Sequence, residues 1–347
     1  MSLKINRLTS VFAGVVTGLA AAGLAATAVA AQGTDVKFTL DWKFEGPAAP
    51  FLVAIDKGYF KAEGLNVTID TGNGSRDTIT RIASGTYQMG FGDLNALIEF
   101  ADDKKDFGLK SVMMIYERPP FAVIGRKSLG VTTDPKTLEG KTLGAPQADG
   151  AFGQWPVFHK VAKIDTSGIK LENVGFPVRE PMLAQGKVQA IFGFSFSSVL
   201  NLKSQGVAAD DISLILMAEN GLDIYGNSIL VSNEFAAKNP AAVKGFLKAV
   251  VKGMQDTAAN PGEAIDSVLK RNTVVTKAVE LERLQMALAQ NFVTPAVKKN
   301  GFGGVEADKL ARNIQVQKEA RNLKNPPAAN VVFDSSFLPP AAERMIK

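Results

Sequence analysis

Short apolar segments alternate with segments of helical periodicity in this chain, and this alternation restricts the fold more than any other feature. The first strands are predicted at residues 36–40, 66–70, 89–92 and 110–116, with helices at 49–60, 76–83 and 95–102. Strands and helices in turn, at this spacing, are typical of parallel strands joined by crossover helices. The sequence therefore predicts an α/β protein.

Pro119 and Pro120 interrupt the alternation, which then resumes as a second series. That series has predicted strands at 121–126, 142–145, 173–177, 190–194 and 213–217, and predicted helices at 152–162, 181–186 and 197–204. One more strand is predicted at 227–231, and helices follow from Glu234. The tail around residues 326–327 and 338–340 is predicted to be extended and to pack along the body. Two series joined twice predict two lobes with two hinge crossings. We assign 32–120 plus 224–347 to lobe I and 121–223 to lobe II.

Residues 1–31 have the pattern of a secretory signal peptide. Lys4 and Arg7 form a positive start, an apolar stretch follows, and Ala28 and Ala30 place small residues where a signal peptidase cleaves, after Ala30 or Ala31. A membrane anchor is the alternative, but no positive cluster follows the apolar stretch. No later segment holds about 18 consecutive apolar residues, so the mature protein is not expected to be membrane-inserted.

The chain contains no cysteine, which excludes disulfides, thiolate metal sites and a cysteine nucleophile. An exported protein without disulfides must be stabilised by its core, and this chain is long enough for one or two cores. Without Lys4 and Arg7 the formal net charge falls from +5 to +3. Such a small positive net charge, without a cluster of basic residues, argues against nucleic acid as a partner.

A loop rich in aromatic and acidic residues follows the first strand. It carries Asp41, Trp42, Phe44 and Glu45. Open α/β sheets bind ligands at the carboxyl ends of their strands, where this loop lies. The alternative is that Trp42 and Phe44 only cap the core.

A glycine-rich turn precedes the second predicted helix and contains Gly72, Gly74, Ser75 and Arg76. Ser75 is predicted to be the N-cap, and the free N–H groups of the first turn can bind an anion or the polar edge of a ligand. The turn has only the first two glycines of a dinucleotide fingerprint. An ordinary N-cap with Arg76 in solvent is the alternative.

Catalytic motifs are incomplete or absent. Gly140, Lys141 and Thr142 match the end of a phosphate-binding loop, but Pro135 stands where that motif needs its first glycine, so a turn into a strand is predicted. His159, the single histidine, is expected to be a surface or packing residue. GxSxG and HExxH patterns are missing. No catalytic residue, metal or cofactor is predicted, and the chain is not expected to be an enzyme.

Aromatic residues concentrate near the predicted junctions of strands and helices. They are Trp42, Phe44, Tyr116, Phe121, Phe152, Trp155, Phe194, Phe196 and Tyr225. A pocket between two lobes with aromatic walls and a few polar groups suits a flat or partly apolar small molecule. The alternative for Phe152, Trp155 and Phe194 is that they belong to the core.

Four segments resemble the NMT1/THI5-like solute-binding proteins of ABC transporters, a group that includes proteins of the SsuA, TauA and ThiY type. The segments are DWKFEGPAAPFLVAIDKGYFKAEGLNVTI, GNGSRDTITRIASGTYQMGFGD, LEGKTLGAP and LAQGKVQAIFGF. The resemblance covers nearly the whole mature chain. It implies a two-lobed periplasmic binding protein of type II topology that closes on its ligand by hinge motion. It also implies a periplasmic location, an inner-membrane permease with its ATPase as partners, and a monomer.

The resemblance places binding loops after the first three strands and at two positions of lobe II. Together with the aromatic junctions, it gives a set of predicted ligand-binding residues. They are Trp42, Phe44, Gly74, Ser75, Arg76, Asp93, Tyr116, Gln147, Asp149, Phe194, Ser195 and Tyr225. Trp42 is expected to be the main stacking surface. Arg76 or Arg179 could pair with a ligand carboxylate or sulfonate.

The ligand class stays open in one respect, because the loop after Trp42 departs from the pattern of pyrimidine-precursor binders. Those proteins carry Asn and His there, whereas this chain reads Lys43, Phe44, Glu45 and Gly46. We predict a small (hetero)aromatic or pyrimidine-precursor-like solute. The alternatives are an organic anion such as an alkylsulfonate, taurine or nitrate, and a pyrimidine-synthase-like enzyme, which the missing cysteines disfavour. A sensor that presents its closed form to a receptor is a further alternative.

Overall fold

The computed structural model describes residues 33–346, so the predicted signal peptide at 1–31 lies outside the described residues. Ten strands form two five-stranded sheets. The strands are β1 (Thr34–Thr39), β2 (Leu65–Asp70), β3 (Met89–Asp93), β4 (Leu109–Met114), β5 (Phe121–Arg126), β6 (Thr142–Gly144), β7 (Lys170–Glu172), β8 (Ala190–Phe194), β9 (Ile212–Leu216) and β10 (Asn227–Ser232).

The first sheet has the order β2-β1-β3-β10-β4. β1 is parallel to β2 and β3, whereas β10 is antiparallel to β3 and β4. The register pairs Asn227 of β10 with Asp93 of β3. Since β10 follows the whole second sheet in sequence, the chain leaves the first sheet after β4 and returns to it. We call the part built on this sheet lobe I.

The second sheet, the basis of lobe II, has the order β7-β6-β8-β5-β9. β6 is parallel to β7 and β8, and β5 is antiparallel to β8 and β9. The chain therefore crosses between the lobes twice, which confirms the predicted α/β architecture with two crossings. The predicted lobe boundaries, 32–120 plus 224–347 and 121–223, stay a prediction.

Helices cover the faces of both sheets. The α-helices are α1 (Ala49–Asp56), α2 (Tyr59–Ala62), α3 (Ser75–Ala83), α4 (Leu94–Ala101), α5 (Gly150–Gly153), α6 (Trp155–Val161), α7 (Phe176–Ala184), α8 (Ser195–Ser204), α9 (Asn233–Lys238), α10 (Pro240–Ala259), α11 (Pro261–Leu269), α12 (Lys277–Ala287), α13 (Pro295–Asn300), α14 (Ala307–Arg321) and α15 (Ala329–Val332). A π-helical segment, Leu288–Phe292, continues α12. Short 3₁₀ helices lie at Gly46–Ala48, Lys127–Leu129, Pro135–Leu138, Met217–Asn220, Ser335–Phe337 and Ala341–Arg344. Among residues 33–346, no helix combines the length and apolar character that a bilayer span needs.

Aromatic side chains form much of the core of each lobe. In lobe I, the ring of Phe38 lies 5.3 Å from Phe51 and 5.1 Å from Phe246, which brings β1, α1 and α10 together. In lobe II, the ring of Phe192 lies 5.2 Å from Phe152 and 5.3 Å from Trp155. The core alternative for Phe152 and Trp155 is therefore the correct one.

Most predicted strands agree with the structure within one or two residues, and β5 and β8 have the predicted bounds. The predicted helix at 49–60 is divided into α1 and α2 by Gly58, whose φ of 72° lies in the left-handed region. Glycine reaches this region without the cost that a Cβ atom imposes. The predicted turn at Gly140, where φ is 71°, leads into β6.

The strand predicted at 173–177 is wrong. The strand of this region is β7, Lys170–Glu172, and α7 begins at Phe176. All three residues of β7 are exposed at the sheet edge, so they give no apolar signal. Pro177 stands in the first turn of α7, where its missing N–H costs no hydrogen bond.

One other local prediction is wrong. Gly74, with φ 98° and ψ 159°, is the N-cap of α3, and Ser75 is the first helical residue. The tail has an extended backbone at Ala328 and Leu338, next to its proline pairs as predicted, while α15 and two 3₁₀ turns form elsewhere in it. Phe333 makes a parallel bridge to Ser111 of β4, which holds this end against lobe I.

Candidate functional site

A cleft between the two lobes encloses about 600 Å³, including space open to solvent at its mouth. Lobe I contributes Leu40, Asp41, Trp42, Lys43, Glu45, Pro47, Ala48, Phe51, Gly74, Ser75, Phe91 and Tyr116. Lobe II contributes Asp149, Gly150, Phe176, Arg179, Phe194, Phe196 and Ser197. Most of these residues follow a strand or begin a helix, so the cleft lies where open α/β sheets bind their ligands.

Aromatic rings from both lobes meet in the cleft. Trp42 and Phe176 face each other across it, with ring centroids 4.7 Å apart and an interplanar angle of 66°. Tyr116 lies 6.3 Å from Phe194 and 6.2 Å from Phe196. These distances suit aromatic pairs and give the cleft apolar walls of fixed shape.

Trp42 is held by contacts on several sides. Besides its edge contact with Phe176, its ring lies 5.9 Å from the guanidinium of Arg179 and 5.4 Å from the Nζ atom of Lys43. Its indole Nε1 atom is buried and has no hydrogen-bond partner. Trp42 thus lines the cleft as predicted by its position in sequence, and its role as a stacking surface stays a prediction.

Arg179 is the buried cation of the cleft, and its charge is already balanced. Its Nε and Nη2 atoms donate to Oε1 of Glu180 at 2.9 and 2.6 Å, and Nη1 donates to Oδ2 of Asp149 at 3.0 Å. Its side chain is 2% exposed. Because all three nitrogens already bind carboxylates, the geometry does not favour Arg179 as a bidentate partner for a ligand anion.

Asp41 is the carboxyl group of the cleft with the fewest partners. It is buried, and Nδ2 of Asn227 donates to its Oδ2 atom at 2.7 Å. Burial raises the pKa of the Asp41 carboxyl to about 7, although the hydrogen bond from Asn227 acts in the opposite direction. Within residues 33–346, no lysine or arginine forms an ion pair with it.

Asp149 has a structural role at the start of α5. Its Oδ1 atom accepts hydrogen bonds from the backbone N–H groups of Ala151 and Phe152 at 2.8 and 3.0 Å, as an N-cap residue does. Its Oδ2 atom accepts from Arg179. Burial raises the pKa of Asp149, while the nearby Arg179 lowers it. Both oxygens of this carboxyl are therefore occupied by the protein.

Six of the twelve predicted ligand-binding residues line the cleft. They are Trp42, Gly74, Ser75, Tyr116, Asp149 and Phe194. Gly74 brings lobe I close to lobe II, since a Cβ atom added there would lie 2.3 Å from the carbonyl oxygen of Ala148. The Oγ atom of Ser75 is buried without a hydrogen-bond partner.

Two of the other predicted residues form a bridge near the cleft. Nη2 of Arg76 donates to both oxygens of Glu99 at 3.0 and 2.8 Å, and Nη1 donates to the backbone carbonyl of Gln147 at 3.2 Å. The Arg76 charge is thus paired within lobe I. Gln147 is exposed and contributes its carbonyl group to the contact between lobes.

The remaining predicted residues lie behind the walls. Phe44 packs against the core of lobe I, and Asp93 caps α4 by accepting from the backbone N–H of Asn95. The hydroxyl of Ser195 donates to Oε1 of Gln290. The hydroxyl of Tyr225 accepts from the backbone N–H of Glu306. The ligand-binding role given to each of these four residues stays a prediction.

Phe176 is the wall residue that the sequence analysis missed. The wrong strand at 173–177 hid it, because it placed Phe176 in the middle of a strand. Gly175 followed by Phe176 and Pro177 is a helix start, with proline in the first turn, and this signal would have put Phe176 at the amino end of α7. Ser197, in the first turn of α8, was also missed.

A buried charged cluster lies beside the cleft and joins both lobes. Ser197 Oγ donates to Glu45 Oε2 at 3.1 Å, and Arg283 Nη1 lies 3.5 Å from the same oxygen. Arg283 also donates to the backbone carbonyls of Phe196 and Ser197, and it pairs with Glu280 at 3.2 Å. The cluster thus connects α12 and the loop after β1 to the start of α8.

The sequence also matches a known family model, described as NMT1/THI5 like, over residues 47–264. This is more than half of the chain. The protein belongs to the NMT1/THI5-like family. The resemblance expected from the four sequence segments is therefore confirmed.

Relatives of this chain carry names of binding proteins and of enzymes. The riboflavin-binding protein RibY of Chloroflexus aurantiacus is 28% identical, covering 97% of this chain and 96% of that protein. The formylaminopyrimidine-binding protein of Halalkalibacterium halodurans is 27% identical, covering 86% of this chain and 89% of that protein. The 4-amino-5-hydroxymethyl-2-methylpyrimidine phosphate synthase THI13 of Saccharomyces cerevisiae is 29% identical, covering 66% of this chain and 68% of that protein.

Solved structures share the fold of this family member. The aliphatic sulphonate binding protein SsuA of Escherichia coli matches with a TM-score of 0.67 at 13% identity, over 88% of this chain and 99% of that one. The ligand-binding component of an ABC-type import system from Staphylococcus aureus matches with a TM-score of 0.66 at 11% identity, covering 90% of this chain and 100% of that one. The predicted two-lobed periplasmic binding protein fold is therefore confirmed.

Proposed function

We propose that this protein is the solute-binding component of an ABC importer and captures a small heteroaromatic solute between its lobes. The observation that carries the proposal is the cleft itself, where Trp42 and Tyr116 of lobe I meet Phe176 and Phe194 of lobe II. Because Trp42 and Phe176 are in edge contact, a flat molecule can lie between the rings only after the lobes open, and a hinge motion that closes them again would enclose it on both faces.

The charges of the cleft favour such a solute over an organic anion. Arg179 is balanced by Asp149 and Glu180, and Arg76 is paired with Glu99. Asp41 adds a buried carboxyl group without a cationic partner. A sulfonate or nitrate in this cleft would meet the Asp41 carboxyl group and two arginines that are already paired, and the cation it could still reach is the exposed Lys43 beside Trp42.

Two relatives support the same class of ligand. The Chloroflexus aurantiacus protein is named for riboflavin and the Halalkalibacterium halodurans protein for formylaminopyrimidine. Both ligands are heteroaromatic. Both relatives match more of this chain than the Saccharomyces cerevisiae synthase does.

We propose that the protein binds its ligand without turnover. The single histidine, His159, lies on α6 with its ring 5.5 Å from that of Trp155, in lobe II and away from the cleft. The chain also has no cysteine. Two common sources of nucleophile or general base are thus missing from the cleft.

The proposed setting is the periplasm, reached through a cleaved signal peptide at 1–31. Within it, we propose that the protein acts as a monomer that delivers its ligand to an inner-membrane permease driven by an ATPase. Support comes from the signal-like sequence and from the shared fold with import components. A pull-down of the permease from membranes would test this partner.

A ligand screen tests the proposed function. Riboflavin, 4-amino-5-hydroxymethyl-2-methylpyrimidine, taurine, ethanesulfonate and nitrate would be compared by thermal shift and calorimetry. A ligand at 100 times its Kd stabilises the folded state by about 2.7 kcal/mol, so a heteroaromatic ligand should raise the Tm. Binding of an anion together with no response to either heteroaromatic compound would contradict the proposal.

A further inference from the structure

Three polar groups in the cleft wall lack the partners that buried polar groups normally have. Trp42 Nε1 and Ser75 Oγ are buried and form no hydrogen bond. Asp41 receives one side-chain hydrogen bond, from Asn227, and has no cationic partner among the described residues. Buried polar groups are nearly always hydrogen-bonded, so such a group facing a cleft points to a ligand.

Other carboxyl groups near Asp41 are occupied. Asp93 accepts from Asn95 on Oδ1 and from Gln154 on Oδ2. Asp149 is occupied by the start of α5 and by Arg179. Glu45 accepts from Ser197 Oγ and lies 3.5 Å from Arg283 Nη1. Asp41 differs from these three carboxyl groups because it pairs with no arginine and caps no helix among the described residues, so it is the acceptor that we assign to a ligand.

Several titratable or charged groups surround Asp41. They are Asp93 behind the wall, and Lys43, Glu45, Tyr116, Asp149 and Arg179 in the wall. Asp93 and Asp149 both act on Asp41 as negative charges. A hydrogen-bond donor on the ligand would offset this repulsion, whereas an acceptor or an anion would increase it.

Trp42 supplies the complementary group. Its ring is held by Phe176 at 4.7 Å and by Arg179 at 5.9 Å, so the indole is packed against lobe II. An indole N–H can only donate. A ligand that reaches it must present an acceptor.

We propose that Asp41 and Trp42 determine specificity, with Asp41 accepting an N–H group of the ligand and Trp42 Nε1 donating to a ligand acceptor. The ligand class is then a heterocycle that carries both groups on its edge, as an imide or an aminopyrimidine does. Ser75 Oγ, which both donates and accepts, can serve a further polar atom of that edge. The inference rests on the proposed function and names the ligand edge that the site recognises.

Blocking the N–H group on the ligand provides the first test. Riboflavin would be compared with N3-methylriboflavin, and 4-amino-5-hydroxymethyl-2-methylpyrimidine with its N4,N4-dimethyl form, using calorimetry on the mature protein. We expect methylation of the compound that binds to weaken affinity roughly 10- to 100-fold, because a hydrogen bond to a buried carboxyl group is lost and that group is left unsatisfied. Equal affinity for the two members of a pair would overturn the role of Asp41.

Variants provide the second test. Asp41→Asn should weaken binding of the parent compound roughly 10- to 100-fold and change binding of its methylated form by less than about 3-fold. Trp42→Phe keeps an aromatic ring and removes the N–H group, so it should weaken binding of both the parent compound and its methylated form. The controls are Asp35→Asn on the exposed face of β1 and Trp155→Phe in the core of lobe II, and neither should change the preference.

The outcomes separate this inference from the proposed function. Wild-type protein that binds neither heteroaromatic compound contradicts both. Wild-type protein that binds one of them, with no loss on methylation or in Asp41→Asn, contradicts only the specificity assignment. If Asp41→Asn does not fold, the comparison of parent and methylated compounds on wild-type protein still decides the question.

Discussion

At the scale of single residues, Asp41 shows how burial in the cleft changes the protonation of a carboxyl group. Its carboxyl lies among aromatic side chains, with Asn227 as its side-chain donor. Burial favours the neutral form and raises the pKa to about 7. The pKa of Asp93, which lies behind the wall, is raised to about 6 for the same reason. Each group therefore binds protons more strongly in the folded protein than in the unfolded chain.

The first prediction concerns pH and Asp41. Since its folded pKa is above its unfolded value of about 4, stability from this group is present below pH 4 and is lost as pH rises through 7. Relative to Asp41→Asn, wild-type protein should lose roughly 2 kcal/mol of unfolding free energy between pH 5 and 8, because one pKa unit corresponds to about 1.4 kcal/mol. Urea denaturation across this range measures the difference.

Asp35→Asn, on the exposed part of β1, is the matched control for this series. Its stability should follow that of wild-type protein at every pH. A constant difference between wild type and Asp41→Asn from pH 5 to 8 would show that the Asp41 carboxyl does not titrate in this window.

At the scale of elements, the turn before α3 shows how a backbone position sets the distance between lobes. Gly74 has a φ of 98° and lies so close to Ala148 that a Cβ atom would be 2.3 Å from its carbonyl oxygen. Gly85, just after α3, has a φ of 77° but no atom within 4 Å of an added Cβ. Both glycines therefore have a positive φ, but an added Cβ atom would clash only at Gly74.

The second prediction uses this pair. Gly85→Ala should cost about 1 kcal/mol of stability from backbone strain alone. Gly74→Ala should cost at least as much and should also weaken ligand binding about 10-fold or more, because the lobes can no longer approach at Ala148. Denaturation and calorimetry on both variants separate strain from lobe approach. Loss of affinity in both variants would instead assign the effect to α3 itself.

At the scale of the whole molecule, the lobes are joined by charges that lie far apart in sequence. Arg283 of α12 is 3% exposed and contacts Glu45, Glu280 and the carbonyls at the start of α8. Lys203 of α8 and Glu282 of α12 join the same two helices at 2.6 Å, but both side chains are largely exposed. Burial thus distinguishes the contacts of Arg283 from the Lys203–Glu282 ion pair, although both connect α12 to α8.

The third prediction follows from that difference. Arg283→Ala should destabilise the protein by about 3–5 kcal/mol, since it leaves buried carboxyl groups without their cation. Lys203→Ala should change stability by less than about 1 kcal/mol, because an exposed pair is well solvated. Chemical denaturation of both variants gives the comparison. Similar small effects would mean that the cluster around Arg283 does not stabilise the joined lobes.

Sequence alone determined the α/β class, the two series of elements and six residues of the cleft wall. The spacing of apolar residues within a segment depends only on whether that segment is a helix or a strand. Residues that follow parallel strands lie at the same edge of the sheet, whatever the order of the strands. For this reason the sequence could predict that Trp42, Ser75 and Asp149 line the cleft before any contact was known.

Only the tertiary structure decided which charges remain free and which rings meet. Arg76 and Arg179 look equivalent in sequence as anion partners, yet one pairs with Glu99 and the other with Asp149 and Glu180. Phe176 reaches Trp42 across 134 positions of sequence through the packing of the two lobes. Local patterns carry no information on such distant pairs, because they form only when both lobes are folded and in contact.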